Sequence, residues 1–232
     1  MIISDEPSFI FIAVPKTGSC AVEEALQPLM NAELKRQFHK HVTAMRLERE
    51  LPAERWENSY KFSFVREPYA WMHSWYRFRQ RDELKDPTNK YHRRYTGDIS
   101  FNEFVQTFSS KELMLKQSDV ISNRSAELLM DFVGRYETLQ SDFDTICEQL
   151  NIPLRKLPRV NVTKSTASGE DFLDAAGIKI INDYFSQDFE MFGYTKRTGS
   201  LTFKRASSSR NDGDTVSTSP STHVNPSSFP QA

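Results

Sequence analysis

The sequence predicts an α/β fold in which helices cover a mostly parallel sheet. A continuous apolar run at residues 9–14 and shorter apolar stretches within residues 60–65 and 131–136 are typical of buried strands. Each run is followed by a segment whose apolar residues have helical spacing, and such alternation produces a layered, mainly parallel sheet. Ligands of these sheets bind outside the carboxyl ends of the strands, so the residues after each run are the first candidates for a site.

The first strand and the helices after it are indicated by simple patterns. Residues 9–14 are all apolar, as expected for a central strand that is covered on both faces. Apolar residues at helical spacing predict a helix at residues 20–30. A second helix is predicted at residues 43–51, where Thr43 is a candidate cap and a proline follows the last residue.

The middle of the chain repeats this order of strand and helix. Residues 60–65 form the second predicted strand, and Pro68 opens a helix at residues 69–80, since proline is tolerated in the first turn. The pair Ser100 and Glu103 matches a capping box, which predicts the start of a further helix there.

The last third of the chain completes one domain and adds a tail. The strand at residues 131–136 is followed by predicted helices at residues 141–150 and 178–191. We therefore expect a single domain over residues 1–197. The remainder, residues 198–232, is rich in serine, threonine and proline and poor in apolar clusters, so it is predicted to be disordered.

Composition excludes several classes of protein. The 232 residues suit one sizeable domain, and 30 basic residues nearly balance 31 acidic ones, so no global basic field argues for nucleic acid. The two cysteines make no disulfide framework, and no apolar run is long enough to span a membrane or to act as a secretion signal. We therefore expect a cytoplasmic protein; the oligomeric state is not predicted.

Basic residues crowd residues 77–94 and leave two interpretations open. They include several arginines and lysines, with a few acidic residues between them. The segment is either a solvated helix and loop or a surface that helps hold an anionic cofactor or acceptor.

A candidate anion site directly follows the first strand. It consists of Pro15, Lys16, Thr17, Gly18 and Ser19. A turn that opens a helix directs backbone N–H groups at one point, and here a lysine and two hydroxyls accompany them. The lysine precedes the single glycine, so the order of the triphosphate-binding loop is not met. The alternative is that the residues form only a turn.

A second candidate lies at the end of the second strand. Arg66 follows that strand, and Ser74 lies about two turns into the next helix, so a guanidinium and a hydroxyl can close on one phosphate. The alternatives are that Arg66 pairs with Glu67 or Asp131, and that Ser74 bonds its own backbone.

Together these motifs resemble those of sulfotransferases that use 3′-phosphoadenosine-5′-phosphosulfate (PAPS). Residues 15–19 resemble their 5′-phosphosulfate loop, and Arg66 with Ser74 resembles their 3′-phosphate element. The segment around His41 and residues 132–137 and 188–194 are similar to the carbohydrate (Golgi-type, sulfotransferase family 2-like) branch, here without a membrane anchor. The resemblance implies a P-loop-like three-layer α/β fold.

The resemblance also implies a reaction and its residues. PAPS would donate a sulfonate to a hydroxyl of a small-molecule or carbohydrate acceptor and leave as 3′,5′-ADP (PAP), and no metal is called for. Lys16 would stabilise the leaving phosphate, and His41, or else His39, would act as the base. The implied nucleotide-binding residues are Pro15, Lys16, Thr17, Gly18, Ser19, Cys20, Ala21, Arg66, Ser74, Arg135 and Lys164.

Some of these assignments have alternatives. Arg135 contacts the purine or merely ends a strand, and Lys164 closes over the nucleotide or is a solvated loop residue. Cys20 stands where the family commonly has threonine or serine, which favours a second function: a module that binds PAP or PAPS without turnover. A P-loop small-molecule kinase is a third hypothesis, which the residue order at Lys16 disfavours.

Overall fold

A four-stranded, mostly parallel sheet forms the centre of the computed structural model, which describes residues 1–111, 116–158 and 170–204. Its strands lie side by side in chain order: β1 (Ile2–Ser4), β2 (Phe9–Ile12), β3 (Tyr60–Val65) and β4 (Phe132–Arg135). The first strand is antiparallel to β2, whereas β2, β3 and β4 are parallel. The predicted parallel sheet is confirmed, and the carboxyl ends of β2, β3 and β4 meet at one edge.

Helices cover this sheet, and a small second sheet lies beside them. In chain order the helices are α1 (Ser19–Leu26), α2 (Ala32–Gln37), α3 (Ala44–Glu50), α4 (Ala53–Asn58), α5 (Pro68–Arg79), α6 (Phe101–Lys111), α7 (Gln117–Ile121), α8 (Leu139–Gln149), α9 (Ala175–Tyr184) and α10 (Ser186–Phe192). The small sheet pairs β5 (Glu170–Leu173) with β6 (Leu201–Lys204).

The apolar run of β2 is explained by cores on both faces of the sheet. Ile10 and Ile12 pack into a cluster with α3, α4 and α7, whereas Phe9 and Phe11 pack into a second cluster with α1 and α8. All four side chains are buried. Successive strand residues point to opposite faces, so a strand buried on both faces has no polar position. The three-layer α/β prediction is confirmed.

An aromatic cluster joins α5 to the helices at the end of the chain. Tyr69 and Trp71 of α5 are buried with Phe185 and Phe189, and the Trp71 and Phe185 rings meet edge to face with centroids 5.5 Å apart. This packing fixes the orientation of α5 at the edge of the sheet where the strand ends lie. The broad aromatic surface that the sequence gives α5 is thus mainly core.

Two boundaries differ from the sequence prediction. The single helix expected at residues 178–191 is broken at Phe185, whose backbone ends α9 and precedes α10. Disorder was expected from residue 198, but Leu201–Lys204 forms β6, with Leu201 paired to Leu173 and Leu201 and Phe203 packed on the aromatic cluster. Two apolar residues at alternating positions gain enough from this packing to order the strand. Residues 205–232 lie outside the described residues.

Short elements were not predicted from the sequence. They are β1, α2, α4, α7 and β5, each six residues or fewer. In contrast, β3 has the bounds expected from its pattern, and Ser100 and Glu103 form the predicted capping box before α6. None of the helices within the described ranges has the length and apolar character that crossing a membrane requires.

Candidate active site

The turn between β2 and α1 is built around Gly18. Its φ is +78°, a left-handed conformation that side chains rarely adopt, and it caps the start of α1. A Cβ added there would lie 2.6 Å from Cδ2 of Leu139. Both facts require glycine at this position. The N–H of Ala21 donates to the carbonyl of Gly18 at 2.9 Å, whereas those of Ser19 and Cys20 have no partner within the described residues.

Two hydrogen bonds hold the rest of the turn. The buried hydroxyl of Thr17 donates to the carbonyl of Val14 at 2.9 Å, and the indole N–H of Trp71 donates to the carbonyl of Pro15 at 2.7 Å. The turn is therefore fixed to both β2 and α5. The prediction that the Thr17 hydroxyl faces a phosphate differs from this structure, since that hydroxyl stabilises the turn itself.

The ammonium of Lys16 lies over aromatic rings at the end of α5. Its Nζ is 3.6 Å from the ring centroid of Phe78 and 5.0 Å from that of Trp75. Within the part of the chain that the structure describes, no carboxylate pairs with it. Burial lowers the pKa of Lys16 to about 7, and repulsion from the neighbouring cations, led by Arg81, adds to the effect.

Arg66 brings the second motif to the first. It follows β3, and its Nη1 donates a long hydrogen bond of 3.5 Å to the carbonyl of Lys16. Its guanidinium lies 4.1 Å over the ring of Tyr136. The side chain of Gln117 fixes its backbone, accepting from its N–H and donating to its carbonyl, both at 2.8 Å. The structure thus places Lys16 and Arg66 at one site.

The guanidinium of Arg66 has acidic neighbours but makes no ion pair within the described residues. Glu137 and Glu67 act on its charge without forming a salt bridge, although Glu67 and Asp131 were alternatives from the sequence. Glu67 instead caps α5 by accepting from the N–H of Ala70 at 2.8 Å, and Asp131 pairs with Lys61 at 3.2 Å. Burial is the main cause that lowers the pKa of Arg66.

Ser74 shares one face of α5 with the aromatic residues around Lys16. It lies three residues after Trp71 and four before Phe78, so these side chains project from the same side of the helix. Its hydroxyl has no hydrogen bond within the described residues. The alternative that Ser74 bonds its own backbone is therefore not observed.

His41 is held against the strand that leads into the turn. Its Nδ1 lies 2.8 Å from the carbonyl of Ala13. A carbonyl only accepts, so Nδ1 carries the proton and Nε2 keeps a free lone pair. Burial is the main cause that lowers the pKa of His41, although the bond to Ala13 opposes it. His39 is exposed, and its Nδ1 accepts from the N–H of His41 at 3.3 Å.

Cys20 is in contact with a cation. The ammonium of Lys40 donates to its Sγ at 3.2 Å and also pairs with Glu23. Cys20 stands where related loops have a hydroxyl, and the ammonium of Lys40 lies beside its thiol. Glu23, which lies in α1, offsets the charge of this ammonium.

Two other predicted residues lie apart from this arrangement. The guanidinium of Arg135 donates to the carbonyl of Phe192 at 2.7 Å and lies 4.6 Å from the ring of Tyr194, so it joins β4 to α10. Contact of Arg135 with a purine stays a prediction. Lys164 lies outside the described residues.

Sequence patterns missed the residues that support the site. Gln117 starts the buried helix α7 and holds the backbone of Arg66, and no sequence pattern indicated either. The rings of Trp75 and Phe78 support Lys16, which their helical spacing did not indicate. These contacts join distant parts of the chain, so no local signal reveals them. Within the described residues, no group of acidic, histidine or cysteine side chains is arranged to hold a metal ion.

Comparison with known proteins gives a family match for this chain. A model of the sulfotransferase family matches residues 1–195. Carbohydrate sulfotransferase 14 of Danio rerio is 27% identical over 229 residues, an alignment that covers 84% of this chain and 62% of that protein, so the chain spans less than two thirds of this relative's length. No solved structure gives a significant match. Because the family model covers most of the chain, from β1 through α10, the protein belongs to the sulfotransferase family.

Proposed function

We propose that this protein transfers a sulfonate group from PAPS to a hydroxyl of a carbohydrate acceptor. The observation that carries the proposal is the contact between the two anion-binding motifs, in which Nη1 of Arg66 lies 3.5 Å from the carbonyl of Lys16. Two basic side chains on adjoining strand ends, neither of them in an ion pair with a described residue, suit a ligand with phosphate-like groups at two ends. Membership of the family and the name of the relative support the same reaction.

The residues present fit such a donor. Nε of Arg66 and Nε1 of Trp75 are buried donors without a partner among the described residues, and a ligand oxygen would satisfy each of them. Lys16 and the free N–H groups of Ser19 and Cys20 would hold the phosphosulfate end. Arg66, with the free hydroxyl of Ser74, would hold the 3′-phosphate. When bound, PAPS supplies an activated sulfonate on a phosphate leaving group.

Lys16 would stabilise negative charge on that leaving phosphate. Its ammonium is attached to the same turn as the backbone N–H donors, and the turn is fixed by Gly18 and Trp71. Donors that are fixed before the reaction need no reorganisation as charge develops. An anion beside Lys16 would also raise its pKa from about 7 and keep it charged.

His41 would accept the proton of the acceptor hydroxyl. Its Nδ1–H donates to the carbonyl of Ala13 at 2.8 Å, which fixes the ring and leaves Nε2 as the accepting atom. Its lowered pKa keeps the ring neutral near pH 7, as a base must be. Ala13 lies two residues before the first residue of the turn, so the base would be held close to the strand end that carries the donor site.

A module that binds PAP or PAPS without turnover is the second candidate. The observation that favours it is Cys20, whose thiol replaces a hydroxyl in the turn. Both candidates require nucleotide binding, so turnover distinguishes them.

A cytoplasmic location is a further part of the proposal. The free thiols of Cys20 and Cys147 suit a reducing compartment. Cell fractionation tests this location.

Radiolabelled PAPS incubated with a panel of glycans tests the proposal. We expect label in a glycan, and we expect Lys16→Ala to lower kcat more than PAP affinity measured by calorimetry. Tight PAP binding with no label in any glycan would favour the non-catalytic module. Absence of PAP binding by the folded wild-type protein would refute both candidates. ATP consumption that depends on magnesium would instead support the kinase hypothesis.

A further inference from the structure

A chain of hydrogen bonds leads from α10 to the backbone of Arg66. The carboxylate of Asp188 accepts from the side-chain amide of Gln117, whose Nε2 lies 3.4 Å from Oδ2. The same Nε2 donates to the carbonyl of Arg66 at 2.8 Å, and Oε1 of Gln117 accepts from the N–H of Arg66 at 2.8 Å. One amide group therefore links a buried carboxylate to both backbone groups of the arginine in the second anion-binding motif.

Gln117 supplies hydrogen bonds that the sheet does not give to Arg66. Val65, the last residue of β3, is paired with Arg135 in β4, and Arg66 lies one residue beyond this ladder. A peptide group that leaves a sheet needs other partners unless water reaches it. The amide of Gln117 offers an acceptor and a donor side by side, as a neighbouring strand would. The backbone of Arg66 is thus held by a side chain from α7.

Asp188 favours the orientation in which the amide of Gln117 can hold Arg66. A carboxylate only accepts hydrogen bonds and a backbone N–H only donates them, so Nε2 faces Asp188 and Oε1 faces the N–H of Arg66. A rotated amide would place Oε1 against the carboxylate and Nε2 against that N–H. Two acceptors would then meet at one end of the amide and two donors at the other.

The carboxylate of Asp188 is itself surrounded by donors. Oδ1 accepts from the N–H and the hydroxyl of Ser118 at 2.9 and 2.6 Å, and Oδ2 also accepts from the backbone N–H of Gln117 at 3.1 Å. The side chain is buried, and a buried carboxylate is tolerated where such bonds satisfy it. An asparagine would direct an NH₂ group at one of these donors, so the site calls for a carboxylate.

The guanidinium of Arg66 depends on the position of its backbone. Its contacts with the rest of the site are the ring of Tyr136 at 4.1 Å and the long bond of 3.5 Å to the carbonyl of Lys16. Neither contact fixes the direction of the planar group as a bidentate ion pair would. A shift of the Arg66 backbone would therefore move the guanidinium relative to Lys16 and to a bound phosphate.

We propose that Asp188 and Gln117 are positioning residues, which hold Arg66 in the orientation needed for the 3′-phosphate of the nucleotide. Neither side chain would touch the ligand, and both act through the backbone of Arg66. The inference rests on the proposed binding of PAPS and deepens it. It gives α7 and α10 a part in nucleotide affinity, although neither would contribute a group that contacts the nucleotide.

Gln117→Met tests the inference, because methionine has nearly the volume of glutamine and cannot make either bond to Arg66. Calorimetry would measure the affinity of the variant for PAP and for 5′-AMP, which lacks the 3′-phosphate. We expect the Kd for PAP to rise about tenfold and the Kd for 5′-AMP to stay within about twofold of wild type. Asp188→Asn should show the same selective loss to a smaller extent, since Gln117 keeps its direct bonds to Arg66.

A double-mutant cycle separates positioning from a merely structural role. Adding Gln117→Met to Arg66→Ala should leave PAP affinity within about twofold of Arg66→Ala alone, because the group that Gln117 positions is already gone. Ser118→Ala is the matched control. It removes the bond to Oδ1 of Asp188 and leaves the bond between Oδ2 and the amide of Gln117. We expect it to lower the melting temperature and to keep the wild-type affinity for PAP.

Each failure has a distinct meaning. If folded Gln117→Met binds PAP as wild type does, or loses affinity for PAP and 5′-AMP equally, the inference is overturned while the proposed function stands. If Gln117→Met weakens PAP binding as much in Arg66→Ala as in wild type, its effect does not pass through Arg66 and the inference is also wrong. If Ser118→Ala loses as much PAP affinity as Asp188→Asn, the role given to Asp188 is refuted. If the wild-type protein binds no PAP, the proposed function itself fails.

Discussion

Replacing Arg66 by alanine should weaken PAP binding strongly while leaving the fold intact. The guanidinium has a buried Nε without a partner and makes no ion pair within the described residues. This Nε–H can donate to an anion, and a hydrogen bond between charged groups contributes about 1.5–3 kcal/mol. Loss of a buried charged contact in an interface costs about 2–5 kcal/mol.

The structure places the effect in the lower part of that range. Arg66 is one of the cations that lower the pKa of Lys16, so its removal relieves repulsion and lets Lys16 hold the nucleotide more strongly. We therefore expect a loss of about 2–3 kcal/mol, which is a rise of roughly 30- to 150-fold in Kd. The folded protein should change little in stability, because relief of a buried charge that makes no ion pair offsets the lost contacts with Tyr136 and the carbonyl of Lys16.

Calorimetry with PAP and with 5′-AMP measures this effect. Arg66→Ala should lose affinity for PAP, which carries the 3′-phosphate, and change little toward 5′-AMP, which lacks it. Arg66→Lys keeps a charge but not the planar fork and should fall between the two. A variant that melts like wild type and binds PAP unchanged would refute the reasoning. So would an equal loss for both nucleotides, because Arg66 would then not face the 3′-phosphate.

Three further predictions concern the turn and its lysine and histidine. PAP binding should take up protons near and above pH 7, and affinity should fall as pH rises. The reason is that anions bind the charged form of Lys16, whose pKa is about 7 in the free protein. Calorimetry in buffers of different ionisation enthalpy measures the proton uptake, and heats that do not depend on the buffer would contradict it. His41→Ala should lower kcat about 10²- to 10⁴-fold, whereas His39→Ala should change it little. Because the pKa of His41 is lowered, activity should be lost only as pH falls below about 6.5; an unaltered kcat in folded His41→Ala removes that role. Gly18→Ala should lower the free energy of unfolding by about 1–3 kcal/mol, because of the left-handed φ and the 2.6 Å approach to Leu139. Denaturation in urea measures this loss of stability. An unchanged urea midpoint would show that the turn relaxes without cost.

The sequence predicts the parts of the site that depend on local order. Lys16 and Arg66 each follow an apolar run, and parallel strands bring the residues after such runs to one edge. The contact between these two residues follows from that topology alone. Gln117 is different, because it does not follow a predicted strand and its helix has only five residues. Periodicity carries no signal over so short a helix.

The same distinction explains the errors at the carboxyl-terminal end. The apolar spacing across residues 178–191 is helical on both sides of Phe185, so the pattern shows no break. The carboxylate of Asp188, in α10, accepts hydrogen bonds from the backbone of Gln117 and Ser118. These bonds join α10 to α7, and the apolar spacing within residues 178–191 does not indicate such a contact. Compositional bias likewise gave no sign of β6, whose order depends on its pairing with β5.

The backbone of the phosphate turn is rigid, whereas the ammonium of Lys16 is held by weak contacts. Gly18, Thr17 and Trp71 fix the turn, so the N–H donors need no rearrangement to meet an anion. The ammonium of Lys16, in contrast, rests on the ring of Phe78, a contact of about 0.5–2 kcal/mol. A hydrogen bond to a phosphate oxygen contributes about 1.5–3 kcal/mol, so an arriving anion draws Lys16 from the ring. Stacking on Phe78 thus keeps the lysine near the turn without competing with the ligand.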